Sequence, residues 1–327
     1  MNLVKKILFF NIFFLAFALL ICEFLSFNYL YGDLREKNFK TREGFITAIQ
    51  HLRILSYNSP DMSFFDLTLS RYENMDINFD KNFRPLLLFG CSYTYGQGLH
   101  KDKNFPSQLQ KYTNRKTYSF ADLGMEPDHL LKYLYFINNI QIDYNNFQYI
   151  IYTFMYDHIN RVHSLSLFSE FMNERINKEK NKNIKNKILC LLHKFYTFKL
   201  IYNNRYIRDA EIKEEYLKWI MMKFCKMSKE IYPNSKFVLL LYDDITNSTY
   251  EFLSNKMKET LQPEYWTELS DNGAIVVSTK DLVGDILYLP QYQLSLDAYQ
   301  TWLPHHPNEK SWELIVPALS KKLGLNK

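Results

Sequence analysis

Leu88-Phe-Gly-Cys-Ser-Tyr-Thr-Tyr-Gly-Gln-Gly98 is the stretch on which the reading of this chain turns. The apolar run that enters it, Pro85-Leu-Leu-Leu-Phe89, has the continuous hydrophobicity of a parallel strand covered on both faces. The run stops at Gly90, Cys91 and Ser92, and Gly96 and Gly98 follow. Small residues there let the backbone bend sharply and lift the Ser92 hydroxyl to the carboxyl end of the strand. In open α/β sheets that edge is where ligands bind. Ser92 is therefore a candidate nucleophile, provided that a base reaches it from elsewhere in the chain.

Working outward, the apolar runs 85–91, 116–121, 147–155, 236–242 and 273–278 predict five strands. Helical spacing predicts helices over 105–113, 127–140, 209–231 and 249–260, and a last one from Asn308 to about Leu323. In the 209–231 segment Ile212, Tyr216, Ile220, Phe224, Met227 and Ile231 fall near one stripe. Strands alternating with helices imply a parallel sheet with helices on both faces. The chain thus divides into an amino-terminal segment 1–32, a stalk and packing segment 33–80, and an α/β domain 81–327. Residues 160–208 break the rhythm and read as an insertion over the strand ends. Its charge run, Lys178 to Lys187, is expected to be a solvated loop; contact with anionic lipid heads or an acidic glycan is the other reading.

Composition narrows the function. Hydrophobic residues at 47% and charged residues at 23% are those of a globular protein. A net charge of +5, with 35 acidic residues spread along the chain, gives no basic footprint for nucleic acid. Cys22, Cys91, Cys190 and Cys225 show no C-x-x-C spacing, so no zinc or other metal site is expected. Cys190 and Cys225 are either a disulfide, if the domain is exported, or two free thiols. The loop lacks both G-x-G-x-x-G and a P-loop lysine, so no nucleotide or flavin cofactor is expected.

The amino terminus is apolar from Ile7 to Cys22 and continues through Phe24, Leu25, Phe27, Tyr29, Leu30 and Tyr31. A bilayer takes roughly 20 such residues, so 7–31 is read as an uncleaved transmembrane helix. Tyr29 and Tyr31 fall where an aromatic belt would sit. No small-x-small cleavage site follows the run, and Ile21 precedes Cys22 where a lipoprotein signal needs Gly or Ala. Lys5 and Lys6 place the amino end in the cytoplasm. The expected location is therefore the inner (cytoplasmic) membrane, single-pass, with the carboxyl-terminal domain outside, in the periplasm.

The partner for Ser92 comes from Pro304-His-His-Pro-Asn308. Asn308 is a good N-cap, so His306 sits in the loop feeding the last helix. In this topology that loop comes near the end of the first strand, and His306 can act as general base toward Ser92. His305 is the fallback.

These residues carry a resemblance. Gly90-x-Ser92-x-Thr94-x-Gly96-x-Gly98 after the first strand, Gly124 after the second, and His306-Pro307-Asn308 before the last helix resemble the SGNH (GDSL-type) hydrolase superfamily over about residues 83–325. The resemblance implies a flavodoxin-like three-layer α/β/α sandwich with a five-stranded parallel sheet. It also implies ester hydrolysis or acyl transfer, often on carbohydrates, with an acylated carbohydrate or other small acyl ester as the partner. Ser92 would be the nucleophile, and the Ser92 and Gly124 amides would hold the oxyanion. The sequence departs from the pattern at three places. Cys91 stands beside the serine where the family has Asp. Phe154-Met-Tyr-Asp-His replaces a Gly-x-Asn-Asp block, so the third oxyanion donor is Tyr156, His158 or absent. Leu303 and Pro304 occupy the positions of the acid that orients the histidine, leaving Asp297 or a backbone carbonyl for that role. Asp157, His158 and Arg161, after the middle strand, are candidate substrate contacts, or a local ion pair closing the loop. Tyr93 and Tyr95 are candidates for stacking on sugar rings. The departures also leave room for a catalytically impaired domain that binds a glycan or protein partner.

Overall fold

The computed structural model describes residues 14–15, 17–27, 80, 82–97, 99–100, 102–121, 125, 127–139, 146–159, 161, 165–180, 184–206, 209–243, 258–294 and 306–325. They form two compact units. One contains 14–27 and 165–216, and the other contains 80–161 and 217–325. In chain order the elements used below are β1 (Leu86–Gly90), α1 (Ser92–Tyr95), α2 (Phe105–Thr113), β2 (Thr117–Ser119), α3 (Pro127–Asn139), β3 (Tyr149–Phe154), α4 (Leu165–Glu179), α5 (Ile184–Leu192), α6 (Tyr196–Tyr206), α7 (Ala210–Ile231), β4 (Lys236–Leu241), β5 (Ile275–Ser278) and α8 (Glu309–Lys322).

The larger unit is built on a five-stranded sheet of order β2-β1-β3-β4-β5. Every pair is parallel. Each predicted strand is present and slightly shorter than its apolar run. The fold is the expected three-layer α/β arrangement. Alternate side chains along the strands meet different helices. Phe89 of β1 and Phe237 of β4 both pack on Phe224 of α7, at centroid distances of 5.4 and 5.1 Å. Tyr149 of β3 points the other way, and its hydroxyl donates to the Leu323 carbonyl at the end of α8, 2.6 Å away. On that face α2 and α8 lock together through Phe105 stacked on Trp312 at 4.5 Å. Residues 86–89 and 150–152 are wholly inaccessible to solvent, as a strand covered on both sides must be. Each such Leu, Ile or Phe contributes about 1.5–3 kcal/mol of burial.

Strand order positions the site. The chain leaves β1 toward β2 on one side of the sheet, while β3 lies on the other, so the topological switch point falls between β1 and β3. Gly90 is in register with Thr153. The residues that follow each strand, Ser92 and Tyr156, therefore emerge at the same edge.

The smaller unit is helical. The run Lys178–Lys187, expected as a loop, is instead split between helices: α4 extends to Glu179 and α5 begins at Ile184. The missed signal is Ile184, inside the charge run, in helical spacing with Ile188 and Leu191 just beyond it. All four cysteines are free, so no Cys190–Cys225 disulfide forms.

Of the span expected over 7–31, residues 14–15 and 17–27 are helical and the others lie outside the described residues. Among the described residues no helix is long and apolar enough to cross a membrane. The stalk segment up to residue 79 and positions 249–257 of the helix expected over 249–260 also fall outside the described residues.

Candidate active site

Two tight contacts set the turn after β1. A Cβ on Gly90 would lie 2.1 Å from Thr94 Oγ1, so only glycine lets the α1 turn close against the strand. Gly96 ends the turn at φ +79, and a Cβ there would lie 2.3 Å from Asn104 Cβ. The Gly96 and Gln97 amides both donate to the Ser92 carbonyl, at 2.9 and 3.1 Å. Ser92 is thus the first residue of a closed one-turn helix, where backbone N–H groups have no intrahelical acceptor.

The histidine arrives on a loop fixed at several points. Asn308 caps α8 by accepting from the Ser311 amide at 3.2 Å. Its side-chain amide donates to the Gln291 and Gln293 carbonyls, at 2.7 and 3.0 Å. The Leu294 amide donates to the His306 carbonyl at 2.9 Å, and the Asn308 amide to the Tyr292 carbonyl at 3.1 Å. Gln293 and Pro307 complete an antiparallel bridge. From the other side Lys103 pairs with Glu309 at 2.5 Å, and Gln108 donates to the Glu309 carbonyl at 3.1 Å.

The outcome is one short contact: His306 Nε2 lies 2.8 Å from Ser92 Oγ. The two residues are 214 positions apart in the chain. Ser92 is buried, with 6% of its surface exposed. With the imidazole proton on Nδ1, the Ser92 hydroxyl donates to Nε2, the geometry a general base needs. The Tyr93 ring lies 4.7 Å from the imidazole at a 54° tilt, and Tyr242 stands edge-on to Tyr93 at 5.2 Å. Tyr93 is buried and props the base from one side, so it is not the exposed sugar platform expected of it. Nothing in the sequence separates Tyr93 from the other tyrosines in this respect. The Tyr292–Leu294 strap was likewise unread, because pairing between a coil segment and a loop leaves no periodic pattern.

Cys91, the alternative nucleophile, is wholly buried, with Sγ 3.4 Å from Met155 Sδ. Burial pushes its thiol pKa up, and nearby Arg161 offsets this only in part. The side chain stays a neutral thiol aimed into the core, while Ser92 faces the histidine.

Past β3, Tyr156–Ile159 form a single 3-10 turn. His158 is fully buried; Tyr152 Oη lies 2.8 Å from its Nδ1, and the two rings stack at 5.5 Å. Burial, with Arg161 adding to it, holds its pKa well below the ordinary imidazole value. His158 is thus a neutral core residue with no surface to offer a substrate. Asp157 and Arg161 form a two-pronged ion pair, Nε and Nη2 each 2.7 Å from Oδ2. Burial works against the Arg161 charge, but its neighbours, among them the hydrogen-bonded Asp157 carboxylate, outweigh it and raise the pKa above its usual value. Asp157 and Arg161 remain partly exposed at the edge where Ser92 emerges. Tyr156 opens the same turn and is also partly exposed. Gly124, Asp297 and His305 lie outside the described residues, as do Leu303 and Pro304.

No family model matches the chain, and no curated protein matches it. Among solved structures it is similar to phospholipase A1 from Streptomyces albidoflavus, at 13% identity and a TM-score of 0.43, over 73% of this chain and 98% of that one. It is similar to a GDSL-like lipase from Bacteroides thetaiotaomicron, at 11% identity and a TM-score of 0.43, over 80% and 97% of the two chains. A salicylyl-acyltransferase from a tetracycline biosynthetic pathway aligns at 12% identity and a TM-score of 0.41, over 75% of this chain and 56% of that one. At these values the chemistry has to be read from this chain's own side chains.

Proposed function

We propose that the chain is a serine esterase or O-acyltransferase in which Ser92 attacks an acyl ester and His306 carries the proton. The observation that supports it most directly is the 2.8 Å approach of His306 Nε2 to Ser92 Oγ at the switch point of the sheet. In the first step Oγ adds to the ester carbonyl while its proton passes to Nε2. The tetrahedral oxyanion forms beside the Ser92 amide. Its collapse breaks the bond to the alcohol, which leaves with the proton from His306. The acyl-serine then passes its acyl group to water, in hydrolysis, or to a second hydroxyl, in transfer, with His306 again taking and returning one proton. Asp157 and Arg161 border this edge and offer hydrogen bonds to the alcohol portion.

The apolar segment from Ile7 supports the further reading that the protein is held in the cytoplasmic membrane with this domain facing outward. An outward-facing, lipid-proximal domain suits an acylated glycan of the cell envelope as substrate. Ser92→Ala in the full chain is expected to abolish turnover of p-nitrophenyl acetate and labelling by a fluorophosphonate probe. Turnover unchanged by the substitution would overturn the proposal. A native chain that resists the probe yet binds acylated glycan would favour a binding domain instead.

A further inference from the structure

One helix of the helical unit, α5, has its polarity inside out. α5 is held to α4 by polar side chains: Cys190 Sγ lies 3.1 Å from Asn177 Oδ1, and Asn186 Nδ2 donates to the Glu179 carbonyl at 3.1 Å. Just beyond α5, His193 is buried and reaches Asn173 Oδ1 at 2.7 Å and Asn203 Oδ1 at 3.4 Å. The apolar residues face away. Ile184 is 77% exposed and Leu191 57%, with Ile188, Leu192 and Phe195 also exposed on the same side. A helix in water buries its apolar stripe and solvates its polar one. This one does the reverse, and the exposed stripe is flanked by exposed Lys180, Lys187 and Lys194. An apolar face edged with lysines fits the interface of an anionic bilayer, with the ammonium groups reaching the head groups.

A second observation points to the same occupant. The amino-terminal helix, with Phe14, Leu15, Phe17 and Leu20 exposed, is joined to this unit through its one internal charge. Glu23 accepts from the backbone amides of Tyr196, through Oε1, and of Thr197, through Oε2 at 2.9 Å, satisfying the first turn of α6. Ser26 Oγ donates to Thr197 Oγ1 at 3.3 Å, and Phe27 meets Tyr196 at 4.8 Å between centroids. The carboxylate that looks out of place in an apolar segment is the group that docks it.

We propose that α5, with the turn through Phe195, is a second membrane contact: a surface-lying element that seats on anionic lipid beside the amino-terminal helix. It rests on the anchoring proposed above for that helix and is independent of the chemistry at Ser92. The test uses the full chain in lipid nanodiscs, with Cys22→Ser and Cys190→Ser leaving only buried thiols. A nitroxide is placed at Ile188→Cys, Phe17→Cys or Glu268→Cys, and its accessibility to oxygen is compared with that to a water-soluble nickel chelate. The Ile188 label is expected to favour oxygen in anionic nanodiscs, while the Glu268 label favours nickel. Reversing Lys180, Lys187 and Lys194 to Glu is expected to weaken the seating, each lysine carrying roughly a fivefold share of partitioning. If the Ile188 label is as open to nickel as the Glu268 label, the proposal is overturned. In that case a Phe17 label in lipid leaves the anchor standing, and one in water removes the anchor as well. An Ile188 depth indifferent to lipid charge overturns the anionic preference.

Discussion

Gly90→Ala tests how tightly Ser92, the proposed nucleophile, is tied to the sheet. The added Cβ would meet Thr94 Oγ1 at 2.1 Å and Thr94 Cβ at 2.7 Å, both well inside contact distance. β1 is buried among its neighbours and cannot retreat, so the α1 turn must move by roughly an ångström. Ser92 and Thr94 belong to the same four-residue turn, and Ser92 must move with it. A shift of that size breaks the 2.8 Å contact with His306. The expected result is a loss of about 100-fold in kcat, with destabilisation of about 1–3 kcal/mol from overpacking. Thr94 Oγ1 is buried with no hydrogen-bond partner among the described residues, so a second change there sacrifices no bond. Gly90→Ala/Thr94→Gly should therefore recover part of the lost kcat: the clash is gone, while the strain of alanine at φ +159 remains, as does the roughly 1 kcal/mol of stability that glycine costs a helix. Steady-state ester hydrolysis and thermal melts of the four chains of this cycle give both quantities. A Gly90→Ala enzyme with unchanged kcat and melting temperature would refute the reasoning, as would a double variant no better than the single.

Asn308→Ala removes the α8 cap and the two bonds donated to the Gln291 and Gln293 carbonyls. It should cost about 1–2 kcal/mol in melts and lower kcat more than substrate affinity, because it loosens the base and not the substrate. Cys91 should resist iodoacetamide in the native chain at pH 8 and react after unfolding, since burial keeps it a thiol; rapid native alkylation would refute this. His158 has a depressed folded pKa, so below about pH 6.5 the unfolded chain binds the extra proton. Stability should then fall as pH drops, by about 1.4 kcal/mol per pH unit for this group, down to its folded pKa. Melts from pH 7 to 5 should show that slope flattened in His158→Asn, and equal slopes would contradict the assignment.

Much of the sheet was legible because a strand covered on both faces must be an unbroken apolar run. Leu86–Phe89, Tyr149–Phe154 and Phe237–Leu241 could hardly be anything else at their lengths. Ser92 and His306 were legible for a related reason: a glycine-rich strand end and an N-capped histidine loop are local patterns, and parallel topology brings such ends together. What could not be read depends on long-range contact. Tyr93 as a prop for the imidazole and the Tyr292–Leu294 strap follow from packing, not period. His158 looked like a site residue because it follows a strand end, yet the Tyr152 hydroxyl and ring draw it into the core. Of the helices in the smaller unit, α5 was hidden because its apolar stripe begins at Ile184, inside the charge run 178–187.

The pairing of Tyr292–Leu294 with His306–Asn308 fixes both ends of the eleven-residue segment 295–305. With those ends fixed, the length of the segment is decoupled from the placement of the imidazole. Doubling such a connection costs only about 0.6 kcal/mol in closure entropy. Insertions into the segment are therefore expected to leave the imidazole in place. A lineage could lengthen or shorten that segment without rebuilding the turn that carries Ser92, far earlier in the chain.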